Sequence, residues 1–394
     1  MHPAPSHAEE TFVPRIFRDR IAKLVRAFEN RIRGMRRERR GLNKRLSEYA
    51  YPVLTLPNEI TSEIFLNFLP PYPDRPPSTG LLSPILLGQV CRQWREVAFS
   101  TPSLWRAMQL ELGDDKYYNQ SKLHLLKEWL DRSRDCPLSI SLIYSPSTGL
   151  RPSLPAFIQT ILLHRSRWEY VQLKLTFDDL RQIQGEMPFL RHLTVGFDTF
   201  PSEVSPGIAE FPPITVFQEA PRLSTIVLDQ QFLPSAMRLP WAQLTTIVSY
   251  SLYPYECAEI LCNAVKLIDV TFTIHLSEDD ILSEVPPLMH LRSLVLRNGD
   301  SDGAQGAQMQ LLGVLTLPAL RRLEIFDEGF DPDSRATLVS LIARSKCLLE
   351  ELSITKARIS ESLYREAFPS VAKLKVAPRR ASFPIPLEAM EEPF

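Results

Sequence analysis

Side-chain chemistry needs convergent groups, so the histidines, cysteines and clustered acids come first. The seven histidines (His2, His7, His124, His164, His192, His275 and His290) are dispersed along 394 residues. None stands at metal-ligand spacing from a cysteine or another histidine. His275 lies ahead of Glu278, Asp279 and Asp280, but Ser277 as a helix cap accounts for those acids without a cation. The five cysteines, Cys91, Cys136, Cys257, Cys262 and Cys347, contain no CxxC pair. Their scatter and odd number suit free thiols in a reducing compartment. Nucleophile elbows, phosphate-cradling glycine loops and HExxH helices do not occur. The 34 prolines against 14 glycines invert the usual order of about 5% Pro and 7% Gly, leaving few turns where backbone could approach a phosphate. The expectation is a non-catalytic protein with no cofactor and no metal.

What remains is binding, and its densest signals lie between Tyr51 and Trp105. Leu56-Pro57 reads as a helix start, because proline at the first helical position loses only an amide that would be unpaired there. Glu59 complements the helix dipole, and Ile60, Ile64 and Phe68, with Phe65 and Leu69, make an apolar face ended by Pro70-Pro71. After the loop PPYPDRPPSTG, Ser83 as N-cap and Pro84 open a second helix. Its apolar stripe is expected to run unbroken through Leu87, Val90, Cys91, Trp94, Val97 and Ala98. A third helical start follows at Ser100-Thr101-Pro102, leading to Leu104 and Trp105. Three short helices bury little surface alone and lean on a partner or on the domain behind them.

The combination Leu56-Pro57-x-Glu59-Ile60, Ile64-Phe65, Val90-Cys91-x-x-Trp94 and Leu104-Trp105 resembles the F-box, in particular that of fungal F-box-like proteins. The resemblance covers Leu54 to about Met108. It implies a hook that docks the Skp-type adaptor of a cullin-RING (SCF) ubiquitin ligase. Leu56, Pro57, Glu59, Ile60, Ile64, Phe65, Val90, Cys91, Trp94, Leu104 and Trp105 are then the adaptor-binding candidates. Trp94, Cys91 and Trp105 serve equally well as a local core. The proline-rich loop is longer than in a compact F-box, and interference with adaptor binding is one expected consequence.

Upstream, residues 15–49 lack proline, and Ile21, Leu24, Phe28, Met35, Leu42 and Tyr49 recur at helical or heptad spacing. Thirteen basic against four acidic side chains between Arg15 and Glu48 give this helix a net charge of +9. The readings are pairing with another helix, including self-association, or a basic patch at Arg31–Arg40 for nuclear import or nucleic acid. Arg31 and Arg45 interrupt the seam.

Downstream the pattern L-x-x-L-x-L, with conservative replacements, begins at Tyr170, Leu190, Leu223, Leu244, Val265, Leu291, Leu320, Leu349 and Val371. Most of these steps match the ~20–29 residues of leucine-rich repeats, whose βα units are stabilised by stacking. The region from Leu138 to Val376 resembles an irregular leucine-rich-repeat horseshoe, although the asparagine of each repeat is missing. A non-repetitive α/β domain is the competing reading. On a horseshoe, residues between the leucines line the concave face. His192, Tyr250, Arg297, Arg322, Glu324 and Phe326 are the target-binding candidates, beside Thr194, Thr225, Asp269 and Glu351.

The fold expected is thus an α/β solenoid, an irregular leucine-rich-repeat horseshoe preceded by a small three-helix F-box-like motif and an N-terminal amphipathic helix. The domains expected are a tail (1–14), the basic helix (15–50), the F-box-like unit (51–110), the repeats (111–376) and a C-terminal tail (377–394). Balanced charge, 45 Lys+Arg against 46 Asp+Glu, offers no overall field to nucleic acid or membrane. No apolar run reaches the ~20 residues of a membrane span. The N-terminus lacks the apolar core of a secretory signal, so cytoplasm or nucleus is expected. The function expected is a substrate-recruiting receptor of an SCF-type ligase. The alternative is a self-associating scaffold.

Overall fold

The computed structural model describes residues 15–48, 52–113, 116–144, 154–197, 213–229, 237–275, 282–299, 305–326, 332–357 and 361–378. Both expected tails, apart from 377–378, lie outside these residues. The chain divides into two compact units, Met1–Thr61 and Ser62–Phe394.

The first unit is dominated by α1 (Arg15–Glu48). No side chain described along it, from Asp19 to Arg45, is buried. Ile21, Leu24, Val25, Phe28, Ile32, Met35 and Leu42 are 43–62% exposed. A 3-10 turn, Pro52–Thr55, follows, and Pro57 precedes α2 (Asn58–Phe68). The Pro57 carbonyl accepts from both the Thr61 amide (3.0 Å) and the Thr61 hydroxyl (3.1 Å), closing the first turn.

The second unit is built on strict alternation. Along most strands every other side chain is apolar and buried, so one face of the sheet is covered and the other is left for other uses. After α3 (Pro84–Val90), α4 (Arg92–Ser100) and a 3-10 turn at Pro102–Trp105 come β1 (Ala107–Leu112), α5 (Lys116–Ser133), β2 (Leu138–Tyr144) and α6 (Leu154–Leu162). Then follow β3 (Trp168–Leu175), α7 (Phe177–Arg181), β4 (His192–Phe197), β5 (Thr225–Leu228), β6 (Thr246–Leu252) and α8 (Pro254–Asn263). The chain continues through β7 (Asp269–Ile274), β8 (Ser293–Asn298), α9 (Gln305–Val314), β9 (Arg322–Phe326), α10 (Pro332–Ser345), β10 (Glu351–Ala357), α11 (Glu361–Ala367) and β11 (Lys373–Pro378). The eleven strands form one open, wholly parallel sheet in which each pairs only with its neighbours in sequence. That order is compatible with a solenoid. The sheet starts at Ala107, inside the span expected for the F-box-like unit, and its last strand runs to Pro378.

The register corrects two repeat frames. Tyr170 pairs with His192 and Val171 with Leu193, so the buried triplet of β3 is Trp168, Val171 and Leu173 rather than one starting at Tyr170. Val270 pairs with Ile247, so β7 carries Leu267, Val270 and Phe272. Val265, expected to open that repeat, is 46% exposed. The corrected first positions, from Trp168 through Leu190, Leu223, Leu244, Leu267, Leu291, Leu320 and Leu349 to Val371, are all buried.

At the turns that enter the strands, single carbonyls tie successive repeats together. The Ile268 carbonyl accepts two amides, from Arg292 (2.8 Å) and Ser293 (3.0 Å). The Arg292 carbonyl likewise takes Arg321 and Arg322, and the Arg321 carbonyl takes Glu350 and Glu351. Between two repeats a buried amide, Gln308 of α9, donates to Asn298 Oδ1 and accepts from the Phe326 amide at 3.3 Å. An unpaired buried amide would cost about 1–3 kcal/mol, so these bonds hold successive strands in step.

Candidate adaptor interface and target face

The expected second helix is two, α3 and α4, rather than one long helix. Cys91 is extended (φ −154°, ψ 172°) and interrupts the stripe that runs from Leu87 to Ala98. Its Sγ accepts the Trp94 amide at 3.4 Å, so the thiol caps α4. Arg95 Nε donates to the Gly88 carbonyl at 2.7 Å and ties α4 back to α3. Ser83 caps α3 as the sequence suggests, accepting from the Ile85 amide, with Pro84 at the first position.

Burial sorts the adaptor candidates. Ile60 (51% exposed) and Ile64 (47%) lie four apart on α2, and Val90 (58%) ends α3. Pro57 and Glu59 are exposed, while Leu56, Cys91 and Trp94 are half-buried. Phe65, Leu104 and Trp105 are 0–1% exposed, which corrects their expected role as adaptor contacts. Phe65 meets Trp94 edge-on at 4.9 Å. Trp105 meets Trp129 of α5 edge-on at 5.0 Å and donates from its indole N–H to the Ala98 carbonyl at 2.8 Å. Arg132 lies over the Trp105 ring at 4.7 Å. These aromatics fuse the hook to the sheet's core and place the exposed residues.

The proline-rich loop lies on the sheet. Tyr72 donates its phenol to Glu169 Oε2 (2.9 Å), stands edge-on to Tyr170 (5.5 Å) and lies beneath the Arg106 guanidinium (3.9 Å). Ser139 Oγ donates to the Pro73 carbonyl at 2.7 Å, and Arg75 Nη1 donates to Gln172 Oε1 at 3.2 Å. Ser139, Tyr170 and His192 are consecutive members of one outward row across β2–β4. His192 is consequently 8% exposed, which corrects its expected place on an open target surface. Burial, with the nearby Arg75 cation, pushes its imidazole down to about 4. Burial and the bond to Glu169 push the Tyr72 phenol well above its usual range. No sequence signal links the loop to these strands, because the partners lie 66–97 residues apart.

Beyond β4 the outward row is half-buried among the described residues. Val227, Val248, Thr271 and Val295 form an uncharged row in register across β5–β8. Tyr250 is half-buried and Arg297 exposed. Toward the last strands the face is charged. Glu351 meets Lys375 (2.6 Å), Lys373 (3.4 Å) and Arg322 (3.4 Å). Hydrogen bonding from Lys375 is the largest influence holding its carboxyl below the usual range. Glu324 is half-buried next to this cluster, and Lys356 Nζ lies 4.4 Å from the Phe326 ring centroid.

Among the described residues no group of three His, Cys, Asp or Glu could hold a metal. Residues 276–281, with the acids after His275, lie outside them. Burial pushes the Cys257 thiol well up, which suits an inert core residue. No helix among the described residues is long and apolar enough to cross a membrane.

Comparison with known families agrees with this geometry. The family model described as F-box-like matches residues 53–111, so the chain carries an F-box-like domain spanning the hook. No curated protein matches the chain. The domain suggests an adaptor-binding role in an SCF ubiquitin ligase.

Proposed function

We propose that the protein is a substrate-recruiting receptor of an SCF-type ubiquitin ligase: the exposed side chains of α2 and α3 dock a Skp-type adaptor, and the sheet unit takes the target. The observation that carries this reading is the F-box-like match at 53–111 coinciding with apolar side chains that the fold leaves in solvent, Ile60, Ile64 and Val90. Large apolar groups exposed on a small helical unit mark interfaces. The transfer chemistry belongs to the partners. The test is binding of the purified chain to a Skp-type adaptor. Ile64→Glu, at a half-exposed position that leaves the core untouched, should weaken binding by at least 2 kcal/mol, as hot-spot residues do. Equal binding by Ile64→Glu and the parent chain would refute the assigned interface.

A second reading, self-association through α1, has one observation in its favour, the seven large apolar side chains that α1 exposes. Sedimentation at low and high salt separates the two, since a pairing of two such basic helices must strengthen as salt screens their repulsion.

A further inference from the structure

The turns leading into successive strands stack in register, and their side chains form rows along that leading edge of the sheet. Two arginines of the edge are neutralised: Arg191 by Glu169 at 3.0 Å and Arg321 by Glu350 at 2.5 Å. Arg292 stands between them in the stack and has no ion-pair partner among the described residues, nor have Lys266 and His290 in the row beside it. All three are exposed and line one depression of about 430 Å³ spanning the turns before β6 to β9. No acid lines it. Its apolar part is Ile268, Met289 and Ala319, and Met289 is 60% exposed.

We propose that this depression binds an acidic peptide segment, with carboxylates on Arg292, Lys266 and His290 and an apolar side chain against Met289. Two cations, Arg292 and Lys266, with the His290 ring as a further polar partner and no ion-pair partner among the described residues, attract an anion. The fork of Arg292 suits a carboxylate bidentately. Methionine is unbranched and polarizable, which suits contact with varied apolar partners. Single-stranded nucleic acid fits less well, because it calls for stacking platforms and the depression contains no aromatic ring other than His290. Only the identity of the segment, part of a recruited target, rests on the receptor reading; the binding chemistry stands without it.

The probe is a fluorescein-labelled decapeptide of glutamate and leucine, titrated against the full chain by fluorescence anisotropy and then coupled with a zero-length carbodiimide for mass-spectrometric mapping. The expected result is an adduct at Lys266, loss of binding when glutamine replaces glutamate, and affinity reduced roughly tenfold or more by Arg292→Glu. Arg292 is exposed, so an unchanged circular dichroism spectrum verifies the fold of the variant. Adducts confined to Lys23 and Lys44 of α1, or equal affinity of Arg292→Glu, would overturn the proposal. Tighter binding of a phosphodiester oligonucleotide that displaces the peptide would also overturn it and assign the site to nucleic acid. The Ile64→Glu chain must still bind the peptide. Failure of adaptor binding alone sinks the receptor reading and leaves this site standing.

Discussion

Replacing Tyr72 tests whether the proline-rich loop is fastened to the sheet. Tyr72→Phe removes one phenol-to-carboxylate hydrogen bond, a class worth about 1.5–3 kcal/mol. Glu169 keeps its ion pair with Arg191 at 3.0 Å, so its charge is not orphaned and the loss falls at or just below the bottom of that range, about 1–1.5 kcal/mol. Tyr72→Ala also removes the edge contact with Tyr170 and the stacking of Arg106. These add roughly 0.5–1.5 and 0.5–1 kcal/mol, for a total near 3 kcal/mol. The readout is cleavage before Asp74 by an aspartate-specific endoprotease, under conditions where the loop opens and recloses faster than it is cut. Cleavage then follows the open population. The Phe variant should be cut about five- to tenfold faster and the Ala variant more than a hundredfold faster, at 1.4 kcal/mol per decade. Glu169→Gln combined with Tyr72→Phe should be less than additive, because the two share one bond. A Tyr72→Ala chain cut no faster than the parent would refute the docking of the loop on β2–β4.

Three further outcomes follow from the packing. Trp105→Ala should lower stability by about 3–5 kcal/mol, measured by urea unfolding, and should loosen the hook and the first strands together. His192, held neutral with its pKa near 4 against an ordinary 6.5, contributes stability that is present above pH 6.5 and lost as pH falls toward 4, because only the unfolded chain takes the proton readily. The loss at pH 5 is on the order of 2 kcal/mol; His192→Gln should abolish that part of the pH dependence in paired urea titrations at pH 7 and pH 5. Gln308→Leu leaves the Phe326 amide without its partner and should cost about 2 kcal/mol, visible as faster hydrogen exchange in β8 and β9.

Much of the hook was legible in the sequence because its signals are local. Pro57, Ser83-Pro84 and the tryptophan spacing act within a few residues of themselves. The break at Cys91 was not legible, since the apolar stripe continues through it at helical period and a cysteine is an uncommon cap. The strands were legible by alternation, but the frames at Tyr170 and Val265 were misread for a physical reason. Inward side chains recur every two residues, so a frame displaced by two still falls on apolar positions, and only the pairing of Val171 with Leu193 and Val270 with Ile247 decides between them. The alternation also placed His192 correctly on the outward side. What covers it is a loop more than a hundred residues earlier, and no period or spacing carries that information.

The position of that loop bears on both proposed partners. An insertion between the hook helices was expected to disturb adaptor docking. Its polar and aromatic contacts instead run to β2 and β3: Tyr72 to Glu169 and Tyr170, the Pro73 carbonyl to Ser139, Arg75 to Gln172. The extra residues are thereby taken up on the sheet, and Ile64 and Val90 remain in solvent. The same contacts remove the first strands from the surface available to a target. On the receptor reading proposed above, a recruited protein would meet the face beyond β4, where an uncharged row gives way to the charged cluster around Glu351, or the leading edge, where Arg292 has no ion-pair partner among the described residues. The hook helices and the first strands share the aromatic core around Trp105 and Trp129 and are tied a second time by the loop. If the chain acts as the proposed receptor, a target held on this sheet would sit at a distance from Ile64 and Val90 set by packing within Ser62–Phe394 rather than by a hinge.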